Sequence, residues 1–202
     1  PVPIVPAAIL YDLGLGASDV YPDAALGYAA CLAASDAPVE EGSVGAGTGA
    51  MCGALRGPAY ATKGGVGSAS KHLGDGLYVG ALVAVNAFGD VLDESGQLLA
   101  GLRDESGALM GVRALLPAFA GVPDPGAQRE NTLIGVVATN ARLDKVQTLK
   151  LAQMAHVGIA RAVDPAHTPY DGDALFALAT GERPANLLVR SEEHTSELQS
   201  LT

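Results

Sequence analysis

A polar pair followed at once by an apolar run, at residues 130–140, constrains the fold more than any other stretch of this chain. The run after Glu130-Asn131 reads Thr-Leu-Ile-Gly-Val-Val-Ala-Thr, which is typical of a buried strand. Asn favours turns and Thr favours strands, so Asn131-Thr132 has an ordinary interpretation as a strand start. If the peptide bond before Thr132 were cut, this residue would instead carry a hydroxyl nucleophile and a free α-amine with a pKa of about 8. The dipeptide alone leaves both interpretations open.

Apolar segments alternate with helical patterns along the rest of the chain. Predicted strands occupy residues 4–11, 76–93 (one long strand or a hairpin), 132–141 and 174–180, and predicted helices begin at Pro22, as first helical residue, and at Asp144. Residues 94–128 are interpreted as a loose connector because Gly, Pro and charged residues interrupt their apolar pieces. Strands mixed with helical crossovers predict a layered α/β fold.

The second helix has the clearest local signals. Asp144 and Gln147 form a capping pattern, and the helix is predicted to run to about Val163, before Pro165. Its core-facing residues are predicted to be Val146, Leu149, Ala152 or Met154, Ala155 and Ile159. His156 lies within this helix, where we expect it to face solvent or a core partner rather than a metal.

Composition bounds the function classes. With 202 residues, 49% of them hydrophobic, the chain can bury a sizeable core. A net charge of -10 argues against nucleic-acid and anionic-membrane partners. The sequence lacks an apolar run long enough for a transmembrane helix, and its first residues lack a charged region and an initiator Met. We therefore expect no signal peptide here and a missing natural N-terminus. Cys31 and Cys52 are predicted to be buried, without the spacing of a redox or metal site.

Three polar or glycine-rich motifs each allow two interpretations. Residues 45–50 fit a dinucleotide fingerprint, yet no strand precedes them and no acidic residue follows before Asp75, which favours close backbone packing or a pocket-lining loop. Asn86, within an apolar line, is either a satisfied buried amide or an oxyanion donor. Asp171-Gly172-Asp173 is either a turn or a pair of carboxylates that orients an amine or hydroxyl.

The last residues do not match the rest. Residues 190–202 look like the translation of a sequencing-adapter sequence. We interpret them as a non-native tail and leave them out of fold and site reasoning.

Seven segments, taken together and in order, carry a resemblance to a known family. They are Pro6-Ala-Ala-Ile-Leu-Tyr-Asp-Leu, Tyr21-Pro-Asp-Ala-Ala-Leu-Gly-Tyr, Gly42-Ser-Val-Gly-Ala-Gly-Thr-Gly-Ala, Lys63-Gly-Gly-Val-Gly-Ser-Ala, Gly80-Ala-Leu-Val-Ala-Val-Asn-Ala, Asn131-Thr and His167-Thr-Pro-Tyr-Asp-Gly-Asp. Over residues 1–189 the chain resembles the L-aminopeptidase/D-esterase family, which includes β-aminopeptidases and nylon-oligomer hydrolases.

The resemblance implies a self-processing precursor with the αββα sandwich of N-terminal-nucleophile hydrolases. Residues 1–189 would form a single domain fragment, cut between Asn131 and Thr132 into portions 1–131 and 132–189. We expect the family's preceding N-terminal region and final helix to be missing from this chain, and the sandwich to be incomplete at both ends. The expected activity therefore belongs to the complete protein, and a polypeptide truncated in this way is expected to be inactive.

The resemblance also implies roles for individual residues. Thr132 would be the nucleophile, Asn86 would help hold the oxyanion, and Tyr11 would line the site. Asp171 and Asp173 would orient and tune the Thr132 hydroxyl and amine. No metal or organic cofactor is needed. The expected substrates are short peptides, amino-acid amides or ω-amino-acid oligomers, and the expected assembly is a homo-oligomer, by resemblance a tetramer. The expected location is the cytoplasm, with the periplasm left open.

One departure from the family and two alternatives remain. Nylon hydrolases place a Lys shortly after the glycine-rich segment, where this chain has Ala54 and, nearby, Arg56. An acyltransferase of the ornithine acetyltransferase type also generates its own Thr, but in an Ala-Thr-Met-Leu context rather than Asn-Thr-Leu-Ile. The chain could also be an unprocessed, non-catalytic fragment.

Overall fold

The fold is a mixed α/β arrangement built on one four-stranded sheet. The computed structural model describes Val2 and residues 4–121 and 131–185. The helices are α1 (Ala24–Ala33), α2 (Leu116–Phe119) and α3 (Lys145–Ala162). The strands are β1 (Met51–Cys52), β2 (Thr62–Lys63), β3 (Gly65–His72), β4 (Tyr78–Asn86), β5 (Asp90–Leu92), β6 (Leu98–Ala100), β7 (Thr132–Ala141), β8 (Val163–Asp164) and β9 (Ala174–Arg183).

The four-stranded sheet has the order β3-β4-β7-β9. Strands β3, β4 and β7 pair antiparallel, whereas β7 and β9 pair parallel. Parallel neighbours need a crossover connection, and α3 provides it. This register places Asn86 of β4 directly opposite Thr132 of β7.

Helix α3 covers one face of this sheet. The predicted capping box is present, because the Asp144 side chain accepts from the Gln147 N–H and the Gln147 side chain accepts from the Asp144 N–H. Residues of α3 spaced about one turn apart pack into the main core: Leu151, Ala155 and Ile159. The predicted face was partly wrong, since Val146 and Leu149 are exposed. The buried residues of α3 start at Leu151, later along the helix than predicted.

The other face of the sheet carries the polar residues of interest. Leu133 and Val137 of β7 join the core under α3. Side chains alternate along a strand, so Thr132 points away from α3. On β4, Val83 and Val85 pack on the α3 side. The side chain of Asn86, the partner of Thr132, therefore lies on the opposite face, the same face as Thr132.

Residues 87–121 form a second packed unit. The sequence had predicted that residues 76–93 form one long strand or a hairpin and that residues 94–128 form a loose connector. Strand β5 leaves the main sheet and pairs with β6 and β8 in a three-stranded sheet. The change of sheet occurs at Gly89, where an added Cβ would lie 2.3 Å from the Pro165 carbonyl oxygen. Phe88, Leu102 and Val112 are buried together there. The interpretation of 94–128 as loose was therefore wrong for its described part, and residues 122–128 lie outside the described residues.

A buried carboxylate holds this second unit together. Asp90 is 2% exposed, and its two oxygens accept from the Leu102 and Val112 N–H groups. Burial raises the pKa of Asp90, and those two hydrogen bonds lower it. The carboxylate thus supplies the acceptors that the chain around residues 101–112 would otherwise lack.

Removal of this carboxylate is expected to destabilise the fold. In Asp90→Ala, two buried N–H groups lose their acceptor at about 1–3 kcal/mol each, so the free energy of unfolding should fall by about 2–6 kcal/mol in urea titrations. Asp104→Ala is the matched control, because the Asp104 carboxylate also accepts from two N–H groups, of Ser106 and Ala108, but in an exposed turn. Equal losses in the two variants would contradict the assignment.

The N-terminal part differs from the sequence prediction at three points. Residues 4–11 are mostly exposed and form no strand in the described structure. Helix α1 is present, but Asp23 is its N-cap, so Pro22 precedes the helix instead of starting it. Cys31 is exposed, whereas Cys52 is buried as predicted. The apolar spacing alone could not place these residues because burial depends on what packs against them.

Two further sequence predictions concern the membrane and the tail. None of the described helices has the combined length and apolarity needed to cross a bilayer. Residues 190–202, interpreted as a non-native tail, lie outside the described residues.

Candidate functional site

The candidate site begins at the first residue of β7. Thr132 is 5% exposed and lies opposite Asn86, which is 2% exposed. The preceding residue, Asn131, forms an isolated parallel bridge with Asp171. The predicted cleavage junction is therefore held on both sides, by β4 and by the turn before β9.

The carbonyl of the predicted scissile bond receives two donors. The Thr132 hydroxyl donates to the Asn131 carbonyl oxygen at 2.7 Å, and the Gly172 N–H donates to the same oxygen at 2.8 Å. The Thr132 hydroxyl oxygen thus lies beside the carbonyl group of the predicted cleavage junction. Reacting groups that are already adjacent and oriented gain rate because little further ordering is needed.

Asn86 connects Thr132 to the N-terminal part of the chain. Its Oδ1 accepts from the Met51 N–H at 2.9 Å, and its Nδ2 donates to the Tyr11 carbonyl oxygen at 3.4 Å. Tyr11 therefore reaches the site through its backbone, while the residue as a whole is 45% exposed. Strand pairing sets Asn86 beside Thr132, and the role of Asn86 as oxyanion donor stays a prediction.

Asp171 serves mainly as the anchor of its turn. Its Oδ2 accepts from the Thr168 N–H at 2.8 Å and the Thr168 hydroxyl at 2.7 Å. Its Oδ1 accepts from the Phe88 N–H at 3.2 Å. Through these contacts Asp171 fixes the turn that carries Gly172, and its predicted orienting role would act through that turn in the uncut chain.

Asp173 lies on the other side of Gly172 and contacts the strand that begins with Thr132. Its Oδ1 accepts from the Leu133 N–H at 2.9 Å, one residue after Thr132. Its Oδ2 lies 2.7 Å from Nδ1 of His167. Burial raises the pKa of Asp173, the Leu133 N–H lowers it, the neighbouring Asp171 charge raises it, and His167 lowers it.

Two histidines extend this cluster behind Asp173. The His156 and His167 rings pack with centroids 4.9 Å apart. Burial lowers the pKa of His156, as does the neighbouring His167. His156 thus packs against the ring of an exposed residue and is itself half-buried. His167 was not predicted as a site residue, although its position in the same short turn as Asp173 was a usable signal.

Lys63 is a second residue that sequence reasoning did not select. Its Nζ donates to the carbonyl oxygens of Gly47 and Ala50, at 2.9 Å each, and burial lowers its pKa. Lys63 pairs with Met51, whose N–H donates to Asn86. A cationic side chain therefore lies near Asn86. In the sequence, this lysine could have been noticed because it precedes two glycines after the glycine-rich segment.

Arg56, which lies near the position of the family lysine, has its contacts elsewhere. Its guanidinium forms an ion pair with Glu105 at 2.6 Å and lies over the Tyr60 ring, 3.8 Å from the centroid. Arg56 therefore stabilises the second packed unit. Ala54 precedes it in a short 3-10 turn that ends at Arg56.

The glycine-rich segment packs closely, as one of its two interpretations predicted. Residues 45–47 form a 3-10 turn rather than a helix that follows a strand. A Cβ on Gly47 would lie 2.5 Å from the Val66 backbone nitrogen. These glycines let the segment approach β3, which accounts for the fingerprint without a nucleotide.

Sequence comparisons match the chain to one peptidase family and to named relatives. The chain matches the family model described as Peptidase family S58 along residues 1–202. An uncharacterised aminopeptidase of Mycobacterium leprae is 44% identical over 189 residues, which cover 89% of this chain and 50% of the relative. A 6-aminohexanoate-oligomer endohydrolase of Kocuria sp. is 35% identical over 184 residues, with the same two coverages, 89% and 50%. The chain spans about half the length of these relatives.

Solved structures show the same fold. A β-aminopeptidase of Burkholderia sp. superposes with a TM-score of 0.63 at 26% identity, covering 90% of this chain and 50% of that chain. The L-aminopeptidase D-Ala-esterase/amidase of Ochrobactrum anthropi, described as a variant of the Ntn-hydrolase fold, gives a TM-score of 0.52 at 24% identity, covering 83% and 44%. These matches confirm the predicted fold class and the predicted resemblance. The chain belongs to Peptidase family S58.

Proposed function

We propose that the full-length protein is a self-processing amide hydrolase, cut between Asn131 and Thr132, with Thr132 as its N-terminal nucleophile. The observation that carries the proposal is the Thr132 hydroxyl at 2.7 Å from the Asn131 carbonyl oxygen. The names of the relatives, an aminopeptidase and an oligomer endohydrolase, support hydrolysis over the alternative of acetyl transfer.

Self-processing would use Thr132 twice. The Thr132 oxygen first attacks the Asn131 carbonyl carbon in an N-to-O acyl shift, and water then hydrolyses the resulting ester. The freed α-amine of Thr132, with an ordinary pKa of about 8, next acts as base for its own hydroxyl. The hydroxyl attacks the substrate amide, and an acyl-enzyme forms and is hydrolysed.

The remaining site residues have supporting roles in this proposal. Asn86 would help to hold the oxyanion of the substrate, since the register puts it opposite Thr132. Asp171 and Asp173 would orient the nucleophile and its amine, and Tyr11 would line the approach. Substrates of the proposed class are short peptides, amino-acid amides and ω-amino-acid oligomers. A homo-oligomeric assembly and a cytoplasmic location are part of the same proposal.

Denaturing mass spectrometry of the full-length gene product tests the first step. We expect two chains whose masses sum to that of the precursor plus one water, the second chain beginning with Thr132. A panel of aminoacyl amides, β-amino peptides and nylon oligomers then identifies the substrate class. A chain that stays whole after prolonged incubation would exclude self-processing.

A further inference from the structure

The backbone N–H of Gly172 is hydrogen-bonded to the Asn131 carbonyl, the group that the Thr132 hydroxyl would attack in the proposed cleavage. Its N–H donates to the Asn131 oxygen at 2.8 Å in the uncut chain. The turn that carries it is fixed by Asp171, which accepts from Thr168 and Phe88. The donor is therefore held in place before any reaction begins, as electrostatic stabilisation of a transition state requires.

We propose that the Gly172 N–H is the oxyanion donor of the self-cleavage step, an inference that rests on the proposed function. When the Thr132 oxygen bonds to the Asn131 carbonyl carbon, the carbonyl π pair moves to the oxygen, and the Gly172 N–H stabilises the negative charge that develops there. As the oxyanion collapses, the carbon–nitrogen bond breaks. The proton of the Thr132 hydroxyl is transferred overall to the leaving nitrogen, which becomes the α-amine.

The two flanking carboxylates do not oppose this charge directly. Asp171 accepts from the Thr168 N–H, the Thr168 hydroxyl and the Phe88 N–H. Asp173 accepts from the Leu133 N–H and contacts His167. Each carboxylate charge is thus compensated by donors of other elements, and the group that the turn presents to the Asn131 oxygen is an N–H dipole.

The absence of a side chain at position 172 also leaves space for the Thr132 hydroxyl. A Cβ added there would lie 2.9 Å from the Thr132 hydroxyl oxygen and 3.7 Å from its methyl carbon. A methyl group at this distance would push the hydroxyl out of its rotamer. Glycine therefore lets one residue supply the donor and leave the hydroxyl beside the carbonyl.

A backbone ester isolates the contribution of this N–H. Stop-codon suppression with glycolic acid at position 172 replaces the N–H by an oxygen and adds no side chain. The rate of appearance of the chain that begins with Thr132 is followed by mass spectrometry, per folded molecule as judged by circular dichroism. We expect the cut to slow by about 10²–10³-fold, as when an oxyanion donor is removed from an enzyme.

The same ester at Gly107 is the matched control. Its N–H donates to the Asp104 carbonyl oxygen at 3.0 Å, in a turn of the second packed unit, so its cut should proceed at the wild-type rate. Cutting of the Gly172 ester at the wild-type rate, or equal slowing of both esters, overturns the inference and leaves the proposed function intact. A wild-type protein that is never cut overturns the proposed function itself, and the inference with it.

Discussion

Replacement of Thr132 by alanine is expected to abolish both the cut before residue 132 and the hydrolysis of amides. The variant keeps the Asn131 carbonyl and its Gly172 donor but has no hydroxyl to attack it. Loss of a nucleophile costs on the order of 10⁶-fold in rate in hydrolases that use one. Mass spectrometry and amide turnover should therefore both give background values. Thr132→Ser, which retains the hydroxyl, should still be cut.

Thr139→Ala controls for the loss of a buried hydroxyl from the same strand. Thr139 is 4% exposed, and its hydroxyl donates to the Tyr78 carbonyl oxygen at 2.7 Å. This variant should lose stability but still be cut at the wild-type rate. Activity that survives in Thr132→Ala, with the chain uncut, would show that another residue is the nucleophile.

Elements with local signals were predictable from the sequence. The Asp144–Gln147 capping box fixes where α3 begins, and β7 starts at Thr132 as its apolar run indicates. Both signals lie within a few residues of what they specify, so no knowledge of distant partners is needed. This is why the position of the candidate nucleophile, at the start of a buried strand, could be predicted.

Features that depend on distant partners were not predictable in the same way. The apolar run at 76–93 divides at Asn86, because β5 pairs with β8 instead of with β4. The division follows from the close approach of Gly89 to Pro165, which is far along the chain. Residues 101–112 read as a loose connector because their shared acceptor, Asp90, precedes them and looks like an ordinary turn residue.

The candidate site shows the same limit. The resemblance named Asn86 and Thr132, and the structure shows that strand register brings them together. The same motifs named Asp173 as a site residue but not His167, which shares its turn, because their contact depends on the shape of that turn. The role of Gly172 was equally hidden, since a backbone N–H has no sequence signature of its own.

The second large effect is expected from Asp173→Asn, which should slow the cut about 10²-fold at neutral pH by loosening the start of β7. The carboxylate accepts from the Leu133 N–H, next to Thr132, and lies against His167. The neutral amide presents the same shape but attracts the Leu133 N–H less strongly than a carboxylate. Asp90→Asn removes another buried carboxylate, whose partners are the Leu102 and Val112 N–H groups instead of an N–H of β7, and it should lower stability while leaving the cut rate unchanged.

The pH dependence of the cut distinguishes this role from simple packing. Burial raises the pKa of Asp173, and the Asp171 charge adds to that rise. As the pH is lowered, the carboxylate should therefore be protonated, and the cleavage rate should fall, at a pH above the ordinary aspartate pKa of about 3.9. His167→Asn should move this acid limb to still higher pH, because His167 lowers the pKa of Asp173. Asparagine suits the positive φ of 54° at position 167. In Asp173→Asn the limb should disappear.

Stability should follow the opposite trend with pH. The folded protein binds the Asp173 proton more tightly than the unfolded chain does, because the pKa is raised on folding. This group therefore contributes stability below its ordinary pKa, and that contribution is lost as the pH rises through the raised value. Urea titrations of the uncut Thr132→Ala protein, with and without Asp173→Asn, measure the difference. The fall of the cleavage rate at acid pH could also be the same in Asp173→Asn, in His167→Asn and in the wild type. That result would exclude Asp173 as the group whose protonation sets it.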